Sequence, residues 1–212
     1  MFSKWFGKDK SETRALSDPA QLQIDDMLEM VDSFGLPEQV RGKTFQVSAI
    51  NTYEYQRERE TEFVLKGDDS FAVHMTIEDD DGEKYINFTL PIERDEVEHL
   101  FDIDTFSQVF DEDVCRETIE VIGDTAGYER WIAPSYFQQG GWYKGYFYRR
   151  DFRKNAMPSY EEKDAEPFEG VTLSSKDDKF FVSIEVWEDG TTEVFLGISR
   201  PIADIQSLFG KV

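Results

Sequence analysis

The sequence predicts an α+β fold, mainly antiparallel sheet with an N-terminal helix, and three observations carry that prediction. Residues 71–77 with 86–90, and 180–186 with 194–198, alternate apolar and polar side chains at period two, as strands with one buried face do. Each pair is joined across an Asp-Gly step, Asp81-Gly82 and Asp189-Gly190, a strong hairpin signal. Residues 17–35 instead space their apolar side chains at three and four, between a helix start signal and a stop signal.

The N-terminal helix is expected to be capped by Ser17 or Asp18, with Pro19 in its first turn. Leu22, Ile24, Met27, Leu28, Val31 and Phe34 form its stripe. Gly35 suits a left-handed C-cap and Pro37 blocks continuation. From Thr44 the pattern changes to strands: 44–50, then 52–56 after a turn at Asn51, then 62–65 before Gly67. The first Asp-Gly hairpin ends at Pro91, and Val97, Leu100 and Phe101 mark a short amphipathic helix. Residues 105–109 and 114–122 read as helical. Residues 142–152, dense in aromatics and basic residues, read as a long strand or a strand pair. After the second hairpin, Pro201 opens a helix whose stripe is Ile205, Leu208 and Phe209.

The two hairpin-plus-helix segments align almost without gaps. Phe71 matches Phe180, Val73 matches Val182, Gly82 matches Gly190, and Val97, Leu100 and Phe101 match Ile205, Leu208 and Phe209. An internal duplication is therefore expected, as a tail and helix over 1–37 and two related halves over 38–125 and 126–212, in one compact domain or two.

Composition narrows the function. The formal charge is −22, from 45 acidic and 23 basic residues, a field that repels phosphate backbones and anionic headgroups. No nucleic-acid partner is expected. No apolar run approaches the roughly 20 residues that span a bilayer, and residues 1–10 lack a secretory apolar core. The single cysteine, Cys115, fits a reducing cytoplasm. Two scattered histidines, His74 and His99, fall short of a zinc set, so no metal and no cofactor are expected. No nucleophile elbow or phosphate loop occurs, and no catalytic residue is assigned. The acidic run 78–81 fails the EF-hand register, because Ile77 would have to ligate, and reads as a solvated hairpin tip.

Two features stand out as contacts for a partner or a membrane. Phe2, Trp5 and Phe6 lie beside Lys4, Lys8 and Lys10, an apolar edge with a basic flank, too short to hold a membrane alone. Lys144, Arg149, Arg150 and Arg153 are interleaved with aromatic residues. Alternatively, the tail docks on the protein's own core and the basic residues pair with its own surplus carboxylates.

Three passages carry a resemblance: the opening Met1-Phe2-Ser3-Lys4-Trp5-Phe6-Gly7-Lys8; Thr61-Glu62-Phe63-Val64-Leu65; and Tyr148-Arg149-Arg150 with Glu193-Val194-Phe195-Leu196-Gly197-Ile198. In these the chain resembles the YjfK-like and related uncharacterised bacterial proteins, which tend to be encoded near phage-shock-protein-A-like proteins and small membrane proteins. The resemblance implies an envelope-stress setting and no activity. The expected function is a non-enzymatic cytoplasmic accessory protein that binds another protein, basic or membrane-associated, with at most weak peripheral membrane contact. The alternatives are a binding module for a cationic small molecule such as a polyamine, an acidic mimic of nucleic acid, and an enzyme of unsignalled type. A pocket with converging carboxylates and aromatic faces favours the cation-binding module.

Overall fold

The computed structural model of the chain describes residues 14–56, 58–67, 71–111, 118–138, 140–156 and 165–211. In chain order the strands are β1 (Met27–Met30), β2 (Thr44–Tyr55), β3 (Arg59–Lys66), β4 (Ala72–Asp80), β5 (Glu83–Ile92), β6 (Ile119–Glu120), β7 (Ser135–Gln138), β8 (Tyr143–Tyr148), β9 (Glu166–Ser174), β10 (Phe180–Trp187), β11 (Thr192–Pro201) and β12 (Ile205–Phe209). Two short helices, α1 (Arg94–Leu100) and α2 (Ile103–Phe106), lie between β5 and β6.

Eight of the strands close on themselves in the order β2-β3-β4-β5-β11-β10-β9-β8 and back to β2, every pairing antiparallel. The expected α+β architecture is therefore corrected to an antiparallel β-barrel. The closing strand β8 spans only part of its neighbours, pairing with Thr52–Tyr55 on one side and residues 166–170 on the other. Beyond that seam β2 passes to β1 and then β12, while the end of β9 passes to β7 and then β6.

Both hairpins form, the first around a two-residue Asp-Gly turn and the second around Glu188-Asp189-Gly190, where only Gly190 has a positive φ, 84°. Asp81 and Gly82 have φ of 51° and 91°, the left-handed pair a two-residue hairpin turn demands, and the Gly82 N–H donates to Asp79 Oδ1 at 2.9 Å. Helix α1 also forms, with a capping box between Glu93 and Glu96 and with Val97 and Leu100 buried.

Two other helices do not. Asp18 caps as expected, its carboxylate accepting the Ala20 N–H at 2.9 Å, but the turn it starts is a 3-10 turn over Pro19–Gln21. The chain then leaves the helical region, and Met27–Met30 becomes β1 between β2 and β12. A helix would have put Ile24, Met27, Leu28 and Val31 on one face. As a strand, the segment buries Leu28 and Met30 and leaves Ile24 57% and Met27 41% exposed. Two flanking ladders and a buried anchor outweigh the local spacing. The anchor is Asp26, whose carboxylate accepts the Gln23 N–H at 2.7 Å and the Lys211 N–H at 2.8 Å and pairs with Arg14. At the other end Ile202–Asp204 is again a 3-10 turn, and the expected helix over Ile205, Leu208 and Phe209 is β12, paired with β1. The hairpin-plus-helix correspondence thus ends where the helix should begin. Asn51 is no turn: β2 runs through it, with an irregularity between Val47 and Ala49. Residues 114–117 of the expected helix over 114–122 lie outside the described residues, and Ile119–Glu120 is β6.

The two faces of the barrel differ sharply. One carries Phe63, Leu65, Val73, Met75, Ile86, Phe88, Leu196, Ile198, Val182 and Ile184, all at most 1% exposed, packed with Leu28, Leu36, Leu100, Phe106, Trp131 and Tyr136. The other carries Asn51, Tyr53, Tyr55, Glu60, Glu62, Thr76, Asn87, Ser183 and Glu185. The Tyr53 hydroxyl on β2 donates to Glu185 Oε2 on β10 at 3.4 Å, although β10 is three strands away around the wall. Strands about 4.8 Å apart put these backbones roughly 14 Å from each other along the sheet. Only the concave side brings such side chains together, so the polar face is the lumen and the apolar face is the outside, covered in part by β1, β12, the helices and the loops.

Candidate functional site

The lumen holds a cavity of about 420 Å³ to which all eight barrel strands contribute side chains. Three acids set its character: half-buried Glu60 and buried Glu62 from β3, and buried Glu185 from β10 on the opposite wall. None of the described residues lining this cavity is Lys or Arg.

Glu62 is held from both sides. Its Oε1 accepts the Asn51 Nδ2–H at 2.8 Å, and its Oε2 lies 2.9 Å from His74 Nδ1. Burial works against charging the His74 imidazole, but the Glu62 carboxylate beside it outweighs burial and raises its pKa. Glu60 and Glu185 are different. Burial pushes Glu60 up, opposed in part by a hydrogen bond from Thr76 and reinforced by the charge on Glu62. Burial, with the Glu62 carboxylate across the lumen, Glu193 on the adjacent β11 and Glu60, pushes Glu185 up to about 8 against a hydrogen bond from Tyr53. Both acids thus bind protons more readily than free carboxylates do, for want of a compensating positive charge.

Aromatic rings form the rest of the wall. Tyr53 stacks on Tyr55 with centroids 6.1 Å apart and meets Phe147 and Phe168 at 4.8 and 5.5 Å. The Tyr55 hydroxyl reaches Glu60 Oε2 at 3.5 Å, and Tyr143 bonds to Thr172 and Ser183. Burial raises the pKa of all three tyrosines, which stay neutral hydroxyls. Glycines on the strands make room for rings: a Cβ on Gly170 would sit 2.6 Å from the Tyr143 ring, one on Gly145 2.7 Å from Phe168, and one on Gly197 2.2 Å from Phe181. Asn87 gives its Nδ2–H to Glu78 at 3.1 Å, while its buried Oδ1 has no hydrogen-bond partner.

The contact residues expected from sequence are elsewhere. Phe2, Trp5, Phe6 and Cys115 lie outside the described residues. Lys144 pairs with Glu169, and Arg149 grips Glu166 through two bonds of 2.8 and 3.1 Å. Arg150 sits over the Phe152 ring at 5.3 Å. Arg153 pairs with Asp151 at 2.7 Å, donates to the Ala20 carbonyl at 2.6 Å and lies over Phe63 at 5.2 Å. His99 is exposed on α1, its Nε2 3.1 Å from the Asp124 carbonyl. Among the described residues no group of three His, Cys, Asp or Glu side chains is placed to hold a metal ion, and no helix is long and apolar enough to cross a membrane.

The lumen acids were not singled out in the sequence. The available signal was period-two polarity: Glu60 and Glu62 alternate with Thr61 and Phe63, and Ser183 and Glu185 alternate with Val182 and Ile184. A polar strand face is ordinarily the solvent face, so the pattern reads as surface until the sheet is seen to curl around it.

Comparison with protein-family models, with curated proteins and with solved structures returned no match for this chain.

Proposed function

We propose that this protein is a binding module for a small organic cation of the amine class, a polyamine, held in the barrel lumen. One observation carries the reading: a cavity walled by eight strands and lined by the carboxylates of Glu60, Glu62 and Glu185 and the rings of Tyr53, Tyr55 and Tyr143, with no Lys or Arg among its described lining and with only Glu62 paired, to His74. An isolated carboxylate in such a place is costly unless paired. An ammonium group supplies the missing charge and three N–H donors, and tyrosine faces within about 6 Å add cation–π attraction of roughly 0.5–2 kcal/mol. Its entry would return Glu60 and Glu185 to their ionised forms. The chain's charge of −22 would draw a cation toward the barrel over long range. The single cysteine fits a cytoplasmic setting. The accessory role expected from the sequence receives less support, since Lys144, Arg149 and Arg153 are engaged with the chain's own carboxylates.

Isothermal calorimetry tests the reading with 1,4-diaminobutane and its neutral counterpart 1,4-butanediol. The diamine should bind saturably and the diol should not. Glu185→Gln and Glu60→Gln should each weaken the diamine at least tenfold. Equal behaviour of diamine and diol, or no diamine binding at millimolar concentration, would overturn it.

A further inference from the structure

Outside the lumen, at the seam where β8 and β9 meet the ends of β2 and β10, lies a second and larger depression of about 1140 Å³. Trp142 and Trp187 line it, with the carboxylates of Glu54, Glu58, Glu169 and Glu188. Its cationic side chain, Lys144, pairs with Glu169, so the groove keeps a surplus of negative charge. Two residues belong to both cavities, Tyr55 and Tyr143. Their rings stand edge to face, centroids 5.6 Å apart. Their hydroxyls bond to lumen residues, Tyr55 to Glu60 and Tyr143 to Thr172 and Ser183. The two rings therefore form the partition between groove and lumen, with their polar ends on the lumen side.

We infer that the ligand is a linear polyamine with three or more ammonium groups, one end in the lumen at Glu60 and Glu185 and the rest passing Tyr55 and Tyr143 into the outer groove. The inference rests on the proposed lumen site. Its added basis is that two acidic, aromatic cavities adjoin across one tyrosine pair, whose rings must part to let a chain through. A chain of alternating ammonium and methylene groups matches that sequence of surfaces, its charges meeting carboxylates and its methylenes meeting ring faces. A compact monocation would use the lumen alone.

The experiment compares 1,4-diaminobutane, spermidine and spermine by calorimetry at one fixed ionic strength of about 0.15 M, where charges beyond about 8 Å are screened. Three proteins are used: the wild type, the groove variant Glu58→Gln/Glu188→Gln, and the control Glu38→Gln/Glu120→Gln, which removes the same charge at exposed positions that line neither cavity. Spermine should bind the wild type at least tenfold more tightly than the diamine. The groove variant should lose most of that gain while binding the diamine within twofold of wild type, and the control should keep it. If the diamine binds but affinity does not grow with chain length, or if both variants lose the gain equally, the groove has no part and the lumen reading stands alone. If no amine binds the wild type, the lumen reading falls and this inference falls with it.

Discussion

Glu185 concentrates the chemistry of the lumen in one side chain. Its pKa of about 8 exceeds the ordinary 4.5 because burial and the carboxylates across the barrel oppose its charge. Between those two values the folded state holds a proton that the unfolded state has released, so stability falls as pH rises through the window and levels off above it. The cost at full ionisation is on the order of a few kcal/mol. His74 acts in the same direction: its raised pKa contributes stability that is fully present below 6.5 and lost as pH climbs through the folded value. We expect the urea midpoint of the ligand-free wild type to decline from pH 5 to pH 9. In Glu185→Gln, which mimics the protonated acid, the decline should be clearly shallower and the midpoint at pH 9 higher. Superimposable profiles would mean that Glu185 is not held protonated. None of this was legible in the sequence, where Glu60, Glu62 and Glu185 are three of 45 acidic residues and any choice among them is arbitrary.

At the scale of the element, some local signals do hold in the fold, the first Asp-Gly turn and the helix α1 stripe among them, while the cap-and-stripe pattern over 17–35 and the turn expected at Asn51 yield to pairing with distant strands. The hairpin β4–β5 followed from Asp81-Gly82, whose left-handed pair admits few other residues. Replacing Gly82, at φ 91°, by Val should cost about 1–2 kcal/mol, read as a lower Tm, while any loss much below that would mean the turn relaxes to another type. Gly197 has a different role. It lies in the interior of β11 with the Phe181 ring over it, and a Cβ there would come within 2.2 Å of that ring. Gly197→Ala should therefore displace Phe181 and destabilise the fold by about 1–3 kcal/mol, and Phe181→Leu should recover part of the loss. An unchanged urea midpoint in the single variant would show that the ring has room to move. The apolar spacing of three and four predicts helix at β1 and β12, but short runs with that spacing do not exclude a strand. What decides them is the ladder each forms with the other, between residues about 180 positions apart, and the buried anchor at Asp26.

For the whole molecule, a charge of −22 on 212 residues makes self-repulsion a term in stability. Ion pairs such as Arg149–Glu166 and Lys211–Asp25 relieve it only locally, and exposed pairs contribute at most about 1 kcal/mol each. Raising monovalent salt from about 10 mM to about 500 mM shortens the Debye length from roughly 30 Å to under about 8 Å, and Tm should rise across that range. A flat or falling response would mean that the carboxylates are already compensated. The acidity, the two Asp-Gly hairpins, helix α1 and the division of most strands into an apolar and a polar face are legible in the chain, because each depends on composition or on neighbours a few residues apart. Which face turns inward depends on how the sheet closes. Alternation records that the two faces differ and says nothing of the direction in which the sheet curves. That direction is set when β8 joins β2 to β9, pairing Thr52 with Tyr148 and Gly145 with Phe168. This nonlocal closure turns an ordinary solvent face into a lumen lined with acid and tyrosine.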